Sequence, residues 1–298
     1  MKSRVFLYIS LAVDLLIAVS KFVAAGFTGS SAMISEGIHS VIDAVSQLML
    51  IWGVKISKKL PDAERPFGYG KELYFWSFIV SLVIFILGGC ISFYEGLEHF
   101  EHPVMQDSAV WNYLVLAFAF VFNMVSMISA LRAFNGQRGR LSFWKAIVHT
   151  KDPSTIIVLL GDVGDLLGLL VAFAGILIGR LMNNPYYDGV ASMVIGVILV
   201  GISGLLIRES KSLLMGETTS RKTFRRIIKI AEGDQAILKI KKQFSMYMGP
   251  EEILLQLNTV FRADLTTKQI TDAIERVTKG IQAEFPLIKQ IFIEPVAK

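Results

Sequence analysis

At 298 residues, 53% of them hydrophobic, and with a mean hydropathy of +0.54, the chain is too apolar to consist of water-soluble domains alone and reads as a multispanning membrane protein. Its net charge of +5 is modest, and the basic residues gather at the ends of apolar runs, which fits membrane topology and anionic lipid and argues against nucleic acid as a partner. A single cysteine, Cys90, excludes an intramolecular disulfide and a cysteine-based zinc centre.

The N-terminal stretch MKSRVFLYISLAVD has the outline of a short signal peptide. The apolar run continues to Phe27 without a small-residue cleavage site, however, and predicts a retained first span. Six spans of about 20 residues follow from the hydropathy. They lie near Val5–Phe27, Ala32–Val54, Leu73–Phe93, Ala109–Leu131, Pro153–Gly179 and Gly189–Ile207. The first holds Asp14 and Lys21, the second Glu36, His39 and Asp43, and the fifth Asp162 and Asp165. Lipid cannot host such groups cheaply, so these three spans should turn their polar faces toward a shared interior. Asp14 and Lys21, two turns apart on one face, are expected to form a structural or gating ion pair.

The loops set the orientation. Lys55, Lys58, Lys59, Arg65 and Lys71 follow span two, and Arg132, Arg138, Arg140, Lys145 and Lys151 follow span four. The opposite side carries Glu95, Glu98, Glu101 and Asp107. The basic side is then cytoplasmic, with both termini on it. Compact length and the lack of a long histidine-rich loop point to a prokaryotic cytoplasmic membrane. His99 and His102, in the acidic segment EGLEHFEHP, read as solvated interfacial residues, and His149 as a surface histidine.

Residues 1–210 are thus expected to form the membrane domain and 211–298 a cytoplasmic one. In the latter, Thr219–Glu232 has a helical period, Ile237–Met248 and Glu252–Arg262 read as strands joined at Gly249-Pro250, Thr267–Glu284 is a second amphipathic helix and Ile288–Val296 a last strand. The order α-β-β-α-β predicts two helices on one face of a three-stranded sheet. The basic run Arg221, Lys222, Arg225, Arg226 and Lys229 reads as a solvated helix face near anionic lipid.

Chemistry concentrates in Met33–Trp52, MISEGIHSVIDAVSQLMLIW. Glu36, His39 and Asp43 share one helical face, since their spacings are i, i+3 and i+7. Each ionisable group at mid-membrane costs about 2.5–3.5 kcal/mol on insertion scales, so such groups are retained for function. Histidine and carboxylate four residues apart can ligate one divalent cation.

The runs GSSAMISEGIHSVIDAVSQ, RPFGYGKELYFWS, DPST through GDVGD, NPYYDGVASMVIG, YMGPEEILLQL and the terminal IFIEP, in that order, resemble the cation diffusion facilitator family of metal–proton antiporters over almost the whole chain. The resemblance implies a homodimer of six-helix bundles in the lipid bilayer with cytoplasmic ferredoxin-like domains. It also implies a transport site between spans two and five, which falls here on His39, Asp43 and Asp162. The chain departs from the pattern at Val158, where many members have a histidine, and at Gly161, where one branch has a glutamate. Asp165, one turn beyond Asp162, is either the replacement fourth ligand or a group lining the access path. Glu36 and Asp14 are assigned to the access path. The loop after span two has Arg65 and Tyr69 where some members place histidines, and Tyr247 stands in the MYMGP turn where histidine is common, so no histidine-based regulatory site is expected in the soluble domain.

One imidazole among several carboxylates suits Zn²⁺, and also Mn²⁺, Fe²⁺ or Co²⁺, with zinc the first choice. Ligands bind metal only when deprotonated, so metal and protons compete for one set of side chains, and an inward proton gradient drives the metal out. No cofactor besides the transported metal is expected. Two other readings compete. An intramembrane hydrolase lacks a His-Glu-x-x-His pair and a Gly-x-Ser-x-Gly elbow. A metal-sensing or scaffolding protein without transport is suggested by the side chains lost at Val158 and Gly161.

Overall fold

The computed structural model describes residues 5–28, 31–102, 109–139, 142–143, 146–147 and 151–297, with backbone alone at 24–25, 27–28, 31–39, 109–113, 115 and 137. Its contacts divide the chain into two compact units. One comprises Met1–Lys55 with Leu73–Lys211, the other Ile56–Glu72 with Ser212–Lys298.

The first unit is a helical bundle: α1 (Val5–Thr28), α2 (Ser31–Ile56), α3 (Glu72–Val83), a wider π-helical segment (Ile84–Cys90), α4 (Ile91–Glu101), α5 (Ala109–Arg138), α6 (Pro153–Leu181) and α7 (Tyr186–Met215). Among the described residues, Val5–Val23, Glu72–Glu101, Leu116–Gly136, Pro153–Leu181 and Tyr186–Met215 are long and apolar enough to cross a membrane. α2 has 26 residues and so measures about 39 Å, also enough to cross. The third span therefore extends beyond the expected Phe93, as one helical run that ends at Glu101. His99 lies on this helix, not in a loop, with its Nδ1 3.7 Å from Asp188 Oδ2 on α7. His102 is its exposed C-cap, and His149 lies outside the described residues.

Small residues decide how α4 meets α7. Gly89 and Gly96 are seven residues apart, as are Gly189 and Gly196, so each pair lies on one helical face and lets backbones approach. A Cβ on Gly96 would stand 2.5 Å from Met193 N and 2.8 Å from Gly189 O, and one on Gly196 would stand 2.7 Å from Phe93 N. Neither the wider turn nor this close packing is announced by hydropathy, which reports only that both segments are apolar.

α6 starts where its sequence says it should. Asp152 caps it, accepting from Ser154 N at 3.2 Å, with Pro153 in the first turn. Its first two turns, Ile156 to Leu160, are buried with Leu50, Val54, Leu73, Phe134 and Leu206. α5 packs along α6 and α1, joined to α1 by Val13, Ile17 and Ala119.

The second unit holds α8 (Arg221–Ala231), β1 (Ile237–Gly249), β2 (Glu252–Phe261), α9 (Thr267–Glu284) and β3 (Ile288–Pro295), the expected α-β-β-α-β order. The sheet order is β1-β2-β3. β1 runs antiparallel to β2, with Ser245 opposite Leu255. The α9 crossover brings β3 back parallel to β2, with Leu255 opposite Ile291. Ile227, Ala231, Val277 and Ile281 of the two helices cover Ile253, Leu255 and Leu257 of the sheet, which puts both helices on one face. Thr266 and Gln269 close a capping box at the start of α9. Tyr247, expected in the turn, lies within β1, where its N–H donates to Glu217 O at 3.0 Å.

The segment between α2 and α3 belongs to this unit. Tyr69 donates to Asp62 Oδ2 at 2.6 Å, Arg65 N donates to Asp62 Oδ1 at 2.8 Å, and the Arg65 guanidinium lies 4.6 Å over the Tyr69 ring and pairs with Glu72. The Tyr69 hydroxyl, more than any other group, holds the Asp62 carboxyl below its ordinary range. Phe67 meets Phe292 of β3 edge-on at 6.4 Å, and a Cβ on Gly70 would stand 2.3 Å from Met248 O. Arg65 and Tyr69 therefore spend their side chains on folding this loop.

Two outcomes follow from this packing. Gly96→Leu forces a side chain into the α4–α7 contact and is expected to cost about 1–3 kcal/mol, read as a thermal midpoint lowered by several degrees in detergent. Asp234 accepts from Arg276 Nε at 2.8 Å and Nη2 at 3.0 Å, which holds its carboxyl below the usual range. A depressed folded value adds stability above the unfolded pKa of about 3.9, and that stability is lost as pH falls through the folded value. Arg276→Ala should therefore melt earlier than wild type at pH 7, and calorimetry of the full chain should show the gap closing as pH falls below the unfolded carboxylate value.

Candidate functional site

The bundle encloses two cavities that share a wall of carboxylates. The larger, of about 400 Å³, is lined by Asp14 and Lys21 of α1, Ser40 and Asp43 of α2, Glu95 of α4, Asn123 of α5, and Asp165 of α6. The smaller, of about 70 Å³, is lined by Ser10 and Asp14 of α1, Asp43, Ser46 and Gln47 of α2, and Val158, Asp162 and Asp165 of α6. Asp14, Asp43 and Asp165 thus border both spaces, and Asp162 borders the smaller one alone.

Helix geometry explains the convergence. Asp43, Ser46 and Gln47 fall on one face of α2 at i, i+3 and i+4, and Asp162 and Asp165 on one face of α6 at i and i+3. Asp162 is only 5% exposed. Ser126 of α5 donates to its Oδ2 at 2.8 Å, so a buried carboxyl group receives a hydroxyl from a span with no charged residue between Ala109 and Leu131. Asn123, one turn before Ser126, faces the larger cavity. Hydropathy hides both residues, and the signal that finds them is polar side chains at i and i+3 in an otherwise apolar span. Ser46 is buried in the wall of the smaller cavity with its hydroxyl unpartnered, a polar atom that calls for a water or a ligand there. Lys21, expected to pair with Asp14 along α1, also contacts α2, its Nζ donating to Ser40 Oγ at 2.9 Å.

His39 and Glu36 stand on α2, but their side chains lie outside the described residues. Among the described residues, no group of three or more His, Cys, Asp or Glu side chains is close enough to hold a metal ion. The carboxylates share a wall without closing on a common point. Val158, at the position that many members of the family fill with histidine, is apolar and buried in the core. A water occupies about 30 Å³ in the liquid, so the larger cavity admits a hydrated cation and the smaller only a few waters. Acidic walls in a low-dielectric surround favour cations and protons over any anion.

A family model described as the cation efflux transmembrane domain matches residues 7–215. The mitochondrial proton-coupled zinc antiporter SLC30A9 of Homo sapiens is 29% identical over 250 residues, covering 83% of this chain. The chain spans 44% of that protein's length. The manganese efflux system protein MneP of Bacillus subtilis is 26% identical over 299 residues, covering 98% of this chain and 95% of that one. The magnetosome protein MamM of Magnetospirillum gryphiswaldense is 22% identical, with 99% and 89% covered. A solved MamM C-terminal domain aligns with 26% of this chain at 17% identity and a TM-score of 0.25, and 96% of it is covered.

Ser126→Ala removes the hydroxyl donor from Asp162. The variant is expected to bind a divalent cation about tenfold more weakly, as loss of an orienting partner does elsewhere. Equilibrium competition with a chelating dye on the purified protein checks this, and unchanged affinity would show that the bond does not orient Asp162 for binding.

Proposed function

The chain belongs to the cation efflux family, and from that premise we propose that it exports a divalent metal cation from the cytoplasm in exchange for protons. The family consists of transporters, so the hydrolase alternative falls away. The observation that carries the proposal is the shared wall: α1, α2 and α6 bring Asp14, Asp43, Asp162 and Asp165 to adjoining cavities inside a membrane-spanning bundle.

In this proposal His39, Asp43, Asp162 and Asp165 form the transport site, and Glu36 and Asp14 serve the path to it. Asp165 supplies the ligand that Val158 cannot. The cation is held only by deprotonated side chains, so each protonation of the site competes with metal, and a proton gradient directed inward drives metal outward. Zinc is the first candidate and the names of two relatives fit it and manganese, with iron and cobalt as alternatives. A ligand set that closes on the cation would favour stepwise exchange over channel conduction, because tight binding is incompatible with fast exit. The soluble unit serves homodimerisation, and the protein works in a prokaryotic cytoplasmic membrane, with both termini inside as the basic loops suggest.

The competing proposal, a metal sensor that no longer transports, draws on Val158 and Gly161. Flux separates the two. Purified protein in sealed liposomes with an imposed pH gradient should move Zn²⁺ or Mn²⁺ against its gradient while releasing protons to the other side. Asp43→Asn and Asp162→Asn should abolish this flux while leaving a folded protein, and Asp165→Asn should weaken cation affinity by about tenfold or more. Binding without flux in the wild type would favour the sensor, and normal flux in either of the first two variants would overturn the site.

A further inference from the structure

α5 turns two polar side chains toward the carboxylates of α6, and the register of the two helices shows where each one stands. The helices pack along one another and are anchored at two points. Ser126 donates to Asp162, and Ala119 shares an apolar cluster with Leu169. A step back along α5 thus matches a step forward along α6, so the two run antiparallel. Asn123 lies between the anchors on α5, three residues from Ser126 and four from Ala119. Asp165 lies between them on α6, three residues from Asp162 and four from Leu169. Asn123 is therefore level with Asp165, and both line the larger cavity.

Ser126 has its hydroxyl on Asp162, but Asn123 has no such partner. It is 7% exposed and makes no hydrogen bond among the described residues. An amide has an acceptor and two donor hydrogens, and leaving them unpaired in a buried place is costly. Packing does not require it here, since Leu116 and Ala119 line the cavity from the same face of α5 with apolar side chains. The amide must find its partner in the cavity, and the two candidates are water and the cargo.

A neutral oxygen at this level serves one kind of cation more than another. In the site proposed above, His39, Asp43, Asp162 and Asp165 make up the four donors that a tetrahedral Zn²⁺ takes. A further oxygen adds little to such an ion. Mn²⁺ prefers six oxygens and accepts carbonyl groups and waters among them. Asn123 offers a carbonyl oxygen beside a cavity of about 400 Å³, which has room for the waters. We propose that Asn123 is a cargo ligand and a specificity-determining residue. Its amide oxygen joins Asp165 on the cation and favours six-coordinate dications, Mn²⁺ first, over four-coordinate Zn²⁺. The inference rests on the divalent-cation transport proposed above and shifts its substrate toward manganese.

The test measures Mn²⁺ and Zn²⁺ affinity by competition with a chelating dye, on the full chain in nanodiscs. Asn123→Ala is expected to bind Mn²⁺ about tenfold more weakly and Zn²⁺ within about twofold of wild type. Asn123→Asp keeps an oxygen at the position and should hold Mn²⁺ at least as tightly as wild type. Asn123→Leu, of like volume and without an oxygen, should behave as Asn123→Ala and decides the matter should the alanine variant not fold. An asparagine that only packs α5 against α6 gives a lower melting temperature without metal, and the two affinities fall in equal proportion. One that only holds water leaves both affinities unchanged. Either result overturns the inference. Asp43→Asn in the same assay separates the two levels. If it loses both ions while Asn123→Ala keeps the wild-type ratio of affinities, the ligand role of Asn123 alone fails. If it binds both ions as wild type does, the proposed carboxylate site fails and the inference with it.

Discussion

The bundle is built around the cost of carboxylates away from water. Four aspartates on α1, α2 and α6 line its interior, and no lipid-facing position could hold them cheaply. Each must have a hydrogen-bond donor, a cation or a proton nearby, or it will not stay ionised. Two such groups are described. Ser126 donates to Asp162, and Lys21 shares a wall with Asp14, Asp43 and Asp165. A wall of carboxylates in such surroundings attracts a dication, which is the physical basis of the proposed transport.

The framework around these aspartates is uneven in a way that suits transport. α4 and α7 meet through glycine faces at backbone distance, which leaves little room for sliding, since close-packed interfaces lose dispersion energy over fractions of an ångström. The π segment Ile84–Cys90 lies in the same helical run, where Leu87 and Gly88 reach the cavity walls. Wider turns of this kind recur at functional sites because they loosen the regular ladder locally. α1, α2 and α6 share the apolar cluster of Leu7, Leu50, Val54 and Ile156 to Leu160, and their carboxylates border cavities beside it.

Much of this was legible in the sequence because mid-membrane charge is so expensive. Asp14, Asp43, Asp162 and Asp165 stood out from apolar runs, and their helical spacing placed them on inward faces, as found. The soluble unit was legible too, since Leu255 and Leu257 alternate on β2 and Thr266 with Gln269 marks the start of α9. What stayed hidden depends on which helices are neighbours. The Ser126–Asp162 bond joins residues 36 apart on different spans. Lys21 was read beside Asp14 because the two share a helix, and its bond to Ser40 of another helix could not be read from that spacing. The segment Ile56–Glu72 looked like a charged connection, but Arg65, Tyr69 and Phe67 fold it into the second unit.

In the proposed site, selectivity would follow from the valine at position 158. A two-histidine site offers two borderline nitrogens and favours zinc over harder ions. Here the α6 contribution is carboxylate, because Val158 is packed in the core and only Asp162 and Asp165 remain on that face. If Asp165 joins His39, Asp43 and Asp162 around the ion, three of four donors are hard oxygens, and the preference for zinc over manganese narrows. An oxygen-rich wall also accepts a larger, more hydrated ion without strain, and the cavity beside it has the volume to hold one. Discrimination then shifts from donor type to how much water the cation gives up on passing from the larger cavity to the smaller. In the proposed site Zn²⁺ and Mn²⁺ differ in that passage through coordination number and size, and with donors drawn from both α2 and α6 the metal carried would be set jointly by the two helices.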